Sequence, residues 1–146
     1  MKYTSDYNRR LMTTSEAVQM IKSDDWVDYA CFLSTPFSLD KELAKRVGSV
    51  ENVKIRSLGF PGIAEVAKAD PEGRSFSYNS FHFSGADRKL HDQTSCNYIP
   101  LCYHEGPGYY EKNDITTDVM LLRTTPMDSK GYFNFGVSNS FTRAQI

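Results

Sequence analysis

The sequence predicts an α/β fold: an open, mainly parallel sheet with flanking helices. Two observations carry this. First, residues 26–33 (Trp26-Val27-Asp28-Tyr29-Ala30-Cys31-Phe32-Leu33) and 53–58 (Val53-Lys54-Ile55-Arg56-Ser57-Leu58) read as strands, with a helical pattern between them. A strand–helix–strand order requires a right-handed crossover and pairs the strands in parallel. Second, Val119-Met120-Leu121-Leu122 is apolar without alternation, the pattern of a strand buried on both faces. Pro126 then ends that strand, because it has no N–H for a ladder. Asp128 and Gly131 supply turn chemistry, and the aromatic run to Gly136 predicts a second short extended piece. The stretch from Thr124 to Gly136 therefore falls at the C-terminal end of a buried strand, where open α/β sheets bind ligands.

The elements follow in order. Residues 1–12 are polar and read as a loose lead-in. Thr13 and Glu16 have capping-box spacing, and Ala17, Val18, Met20 and Ile21 form an apolar helix face behind them. Ser34-Thr35-Pro36-Phe37 reads as a loop. Ser38 is the expected cap of a helix with Leu39, Leu43, Ala44 and Val47 on one face, and Gly48 suits its end. Beyond Gly59 the pattern loosens. A short helix is expected around Ile63 to Ala67, and a half-exposed strand from Phe76 to Phe83, where aromatic and polar residues alternate. A further helix is expected to start near Gly85. Glu105-Gly106-Pro107-Gly108 reads as a turn, and Ser138 onward as the start of a helix. Because two turns of helix do not hold themselves together in water, the chain either packs an unusually short terminal helix or is cut inside an element, and the second is expected.

Length and composition set bounds. One domain fits in 146 residues, and a net charge of −1 argues against nucleic-acid or anionic-lipid partners. No apolar run has the length of a membrane span, and no secretory leader pattern occurs, so a cytoplasmic location is expected. The odd number of cysteines, Cys31, Cys96 and Cys102, reads as reduced thiols.

Several constellations resolve into plainer readings. His91, Cys96, Cys102 and His104 lack the knuckle spacing of a structural zinc site, so no metal is expected. Lys130 to Val137 approaches the aromatic RNA-recognition signature but fails at Phe133 and Asn134. Glu105 in its glycine-rich segment reads as a solvated acid beside a turn. His82, between Phe81 and Phe83, is the best-placed titratable side chain, with a partly exposed structural histidine as the plainer alternative.

Residues 16–141 resemble the acetyl-CoA hydrolase/transferase family, nearest to its butyryl-CoA:acetate and 4-hydroxybutyrate CoA-transferase members. The resemblance is carried by Glu16-Ala17-Val18, Asp25-Trp26-Val27-Asp28-Tyr29 and Leu43-Ala44-Lys45-Arg46. It continues through Asn79-Ser80-Phe81-His82-Phe83-Ser84-Gly85, Tyr98-x-Pro100, Tyr109-Tyr110 and Asp118-Val119. It ends in Pro126-Met127-Asp128-x-x-Gly131-Tyr132-Phe133-Asn134-Phe135-Gly136. It implies that residues 1–146 are the N-terminal part of a CoA-transferase-like domain, truncated before a second, catalytic half. It further implies ping-pong transfer of CoA between an acyl-CoA and a short-chain carboxylate such as acetate. A glutamate outside this chain forms a glutamyl-CoA thioester, with no metal or cofactor beyond the CoA substrate. Ser80, His82, Ser84, Asn134 and Gly136 are the implied wall of the substrate pocket, and no catalytic residue is expected in this chain. The implied partners are the C-terminal half of the same protein and further copies of it, and the isolated segment is expected to be inactive. Two alternatives stand beside this: a thioester hydrolase of the same family, and a non-catalytic interaction module using the aromatic stretch from Tyr98 to Tyr110. Cys31-Phe32-Leu33-Ser34-Thr35 departs from the glycine that many relatives carry after the first strand.

Overall fold

A computed structural model describes residues 3–93, 96–112 and 115–146. Its centre is a five-stranded sheet: β1 Trp26–Tyr29, β2 Val53–Ser57, β3 Phe76–Ser80, β4 Cys96–Tyr98 and β5 Val119–Leu121. The spatial order is β4-β3-β2-β1-β5, and every neighbouring pair is parallel. The helices are α1 Thr4–Arg10, α2 Thr14–Val18, α3 Phe37–Ala44, α4 Glu65–Ala69, α5 Gly85–Gln93, α6 Gly106–Lys112 and α7 Thr142–Gln145.

Alternation decides which side of the sheet each residue serves. Val27, Tyr29, Val53, Ile55, Phe76 and Tyr78 point to one face, where Val18, Leu43, Val66 and Leu90 from α2 to α5 cover them. The steps from β1 to β4 all progress in one direction, so right-handed crossovers place α3, α4 and α5 together on that face. The connection from β4 back across to β5 runs the opposite way and carries α6 on the other face. That face is polar. Asp28 and Arg56 are buried there beneath Tyr110, with Arg56 Nε donating to Asp28 Oδ1 at 2.7 Å and Nη2 donating to Oδ2 at 2.9 Å. The Tyr110 hydroxyl donates to Asp28 at 3.0 Å, and Gln145 Nε2 donates to that hydroxyl at 3.3 Å. A polar network therefore anchors α6 and α7 to the sheet.

Helix starts are held by local caps or by a side chain from another element. Thr13 and Glu16 form the expected capping box. α4 has no cap of its own; Asp40, buried in α3, accepts from Glu65 N at 2.8 Å and from the Tyr29 hydroxyl at 3.0 Å. Burial pushes the Asp40 carboxyl above its ordinary range, against the pull of these donors.

Several local expectations change. The strand expected over residues 26–33 stops at Tyr29, and Phe32–Ser34 forms a 3₁₀ turn. β5 lies at the sheet edge and is only partly covered, not buried on both faces. The lead-in contains α1, the β3 strand ends at Ser80, and Ser38 sits inside the first turn of α3, whose N-cap is Pro36. Gly106 opens a helix because its bare Cα lets the Phe141 ring pack where a Cβ would stand. The aromatic run after Gly131 forms no strand, and α7 begins at Thr142.

Candidate functional site

The strand order reverses between β1 and β5, since β2 to β4 lie on the far side of β1. Their carboxyl ends open into loops that are stitched across the reversal. The Ser34 hydroxyl, in the turn after β1, lies 2.7 Å from the Ser138 carbonyl oxygen and 3.1 Å from that of Phe135. Its single proton serves one carbonyl at a time. Arg123, just past β5, donates its backbone N–H to the Ser34 carbonyl at 3.0 Å. Between these loops lies a crevice of about 210 Å³, bounded by Leu33, Ser34, Arg123, Thr125 and Gly136. Larger hollows occur beside α6 (about 460 Å³) and against α1 (about 440 Å³). Position at the reversal, not size, singles out the crevice.

The turn beyond β5 is built by its own polar side chains. Asp128 Oδ1 accepts from Lys130 N at 2.8 Å and Tyr132 N at 2.9 Å, the Asx-turn role expected of an aspartate there. Thr125 N donates to the Asn134 carbonyl at 2.9 Å, and Asn134 N returns to the Thr125 hydroxyl at 3.1 Å. Asn134 Oδ1 accepts from Gly136 N at 2.8 Å. Gly136 has φ +73, with open space where a Cβ would stand, so its need for glycine is conformational.

The sequence-predicted pocket residues fall into two groups. Gly136 borders the crevice, and Asn134 lies behind it, bonded to Gly136 and Thr125. Ser80 ends β3, and His82 and Ser84 lie just past it, three strand spacings away, roughly 14 Å along the same edge. Ser80 is buried and donates to Asp87 Oδ2 at 3.0 Å. Ser84 caps α5: its N–H donates to Asp87 Oδ2 at 2.7 Å, and its hydroxyl accepts from Asp87 N at 3.3 Å. His82 is exposed. Among the described residues no three His, Cys, Asp or Glu side chains converge as a metal site requires. Sequence reasoning missed Ser34 and Arg123, whose partners lie about a hundred residues away in the chain.

A third feature marks this edge. Phe32 has φ +49, a conformation costly for a bulky residue. Its ring sits over Gly59, two residues past the end of β2, where a Cβ would come within 2.5 Å of two ring carbons.

An open parallel α/β sheet with a crevice at its strand reversal belongs to the doubly wound class, in which that crevice is the usual place for a ligand. Sequence comparison narrows this class. The model of the acetyl-CoA hydrolase/transferase N-terminal domain matches residues 1–146, and the chain belongs to that family. It is 38% identical over 146 residues to the butyryl-CoA:acetate CoA-transferase of Anaerostipes caccae, covering all of this chain and 33% of that protein. It is 27% identical over 143 residues to the 4-hydroxybutyrate coenzyme A transferase of Clostridium kluyveri, covering 98% of this chain and 33% of that protein. The chain thus spans about a third of the length of the curated relatives it matches. RipA from Yersinia pestis has the same fold over 94% of this chain and 34% of its own, with a TM-score of 0.80 at 23% identity.

Proposed function

We propose that this chain is the N-terminal part of a short-chain acyl-CoA:carboxylate CoA-transferase, with acetate as an acceptor. The observation that carries the reading is the family match over the whole chain, together with relatives named as CoA-transferases. In this reading the crevice edge forms one wall of the substrate pocket. Asn134 and Gly136 shape it beside β5, the exposed His82 extends it beyond β3, and Ser80 and Ser84 hold the start of α5 in place. The nucleophile is a glutamate outside this chain. Its carboxylate attacks the acyl-CoA carbonyl, the CoA thiolate leaves, and an acyl-glutamyl anhydride forms. The thiolate then attacks the glutamyl carbonyl, releasing the first acid and leaving a glutamyl-CoA thioester. Acetate reverses both steps and departs as acetyl-CoA. The chemistry uses no metal and no cofactor besides the CoA substrate, and the remaining part of the protein and further copies of it complete the enzyme.

The test is an assay of the intact gene product with butyryl-CoA and acetate, followed by borohydride reduction of the acylated enzyme. Acetate-dependent exchange and a reducible glutamyl adduct support the proposal. CoA release independent of acetate selects the hydrolase reading, which the family description also accommodates.

A further inference from the structure

We infer that Arg123 is an oxyanion-binding residue at the strand reversal. The inference rests on the transferase reading for its choice of ligand, but its geometry does not. Arg123 borders the 210 Å³ crevice on one side and a second hollow of about 180 Å³ on the other. Thr124 and Thr125 lie beside it on the first side, Thr14 and Ser38 on the second.

Arg123 is exposed; two contacts orient its side chain, and a third holds its backbone. Its backbone N–H is held by the Ser34 carbonyl at 3.0 Å. Nη2 donates to the Leu33 carbonyl. The guanidinium lies 5.9 Å from the centre of the Phe37 ring. Among the described residues no carboxylate pairs with it, a condition it shares with Arg46, Arg88 and Arg143. Nη1 and Nε therefore keep N–H groups for a ligand, in a fork whose orientation is already set by the Leu33 carbonyl and Phe37. A planar guanidinium oriented in this way matches the two oxygens of a carboxylate, or those of a phosphate.

The crevice is small, and this favours the carboxylate of the acceptor acid over a bulky group. A phosphate of CoA offers the same oxygens and is the other source of such an anion. Arg123 is thereby a binding residue that orients an anion; it donates no proton and attacks nothing.

Steady-state kinetics of the intact gene product, wild type against Arg123→Met and Arg123→Lys, test this. The expected result is a ten- to hundredfold rise in KM for acetate in Arg123→Met, from loss of a charge-assisted hydrogen bond. The KM for butyryl-CoA stays unchanged, and Arg123→Lys restores part of the loss. A rise confined to butyryl-CoA, and absent with butyryl-pantetheine, assigns the anion to a CoA phosphate. Unchanged constants for both substrates overturn the inference. Should the wild type show no transferase activity, titration of the same variants with acetate and inorganic phosphate by NMR decides the site separately. Arg123-dependent shifts then uphold the anion site while the transferase reading falls, and their absence rejects both.

Discussion

Arg56 and Asp28 meet side by side from β2 and β1 in a two-bond fork, both almost wholly withdrawn from water. The Arg56 guanidinium also lies 4.5 Å from the centre of the Trp26 ring and 5.4 Å from that of Tyr110. Such a pair is costly to break from one side, because the surviving charge stays buried. Asp28→Ala is expected to destabilise the protein by about 3–5 kcal/mol, read from urea unfolding. Asp28→Leu combined with Arg56→Met should recover most of that loss. A single substitution as harmless as the double one would contradict this account of the polar face.

Gly59 and Phe32 make a second test. An alanine at position 59 meets the Phe32 ring and must also adopt positive φ. Gly59→Ala is expected to cost about 2–4 kcal/mol, from overpacking plus the left-handed backbone penalty. In a Phe32→Ala background the same substitution should cost about 1–2 kcal/mol, since only the backbone penalty remains. Thermal unfolding of the four proteins measures the difference.

Ser34 ties the turn after β1 to the segment around Ser138. Ser34→Ala leaves that carbonyl without its donor and should cost about 1 kcal/mol overall. The larger effect is expected locally. Limited trypsin digestion should cut after Arg123 or Lys130 faster in Ser34→Ala than in wild type, at a temperature where both are folded.

The thiols separate by environment. Burial pushes the Cys96 thiol up to about 12, and burial also raises Cys31, whereas Cys102 is exposed. For a raised thiol the thiolate is scarce below the folded pKa, and reactivity appears only as pH rises toward it. Iodoacetamide at pH 8 is thus expected to label Cys102 alone in the native protein, and all three after denaturation. Mass spectrometry of the labelled peptides reads the outcome.

Asp40 should leave a pH signature. Its folded pKa lies above the ordinary 3.8, so the native state binds a proton that the unfolded chain has released. Its contribution is greatest below 3.8 and falls as pH rises through the raised value. Asp40→Asn is expected to be less stable at neutral pH, because its amide meets a donor N–H, and to lose this part of the slope. Parallel wild-type and mutant unfolding curves across acid pH would contradict the assignment.

Much of this architecture was readable in the chain. The capping box at Thr13, the strand pattern from Val53 and the strand in the apolar run from Val119 to Leu122 each report a local preference that the fold keeps, although the last is an edge strand and not one buried on both faces. What was not readable depends on distant partners. β4 is three residues with one buried position, so it carries almost no pattern. α6 opens with Gly106 and Pro107, poor helix formers that read as a turn, and is held by Phe141 and by the Tyr110–Asp28 bond. Ser34 looks like any loop serine until Ser138 arrives, and Arg123 like any surface cation until Leu33 and Phe37 fix it. The candidate site was legible as a place, the end of the last strand, but only in part as a set of side chains.

The strand order also governs when that place can exist. β1 to β4 pair with successive neighbours, so they can assemble step by step as the chain is made. β5 must travel back across the whole sheet to reach β1, closing a loop whose entropy is met only at the end. Assembly of the site and completion of the sheet are one event. A chain arrested before Val119 would be left with an open flank on β1 and without the crevice at the reversal.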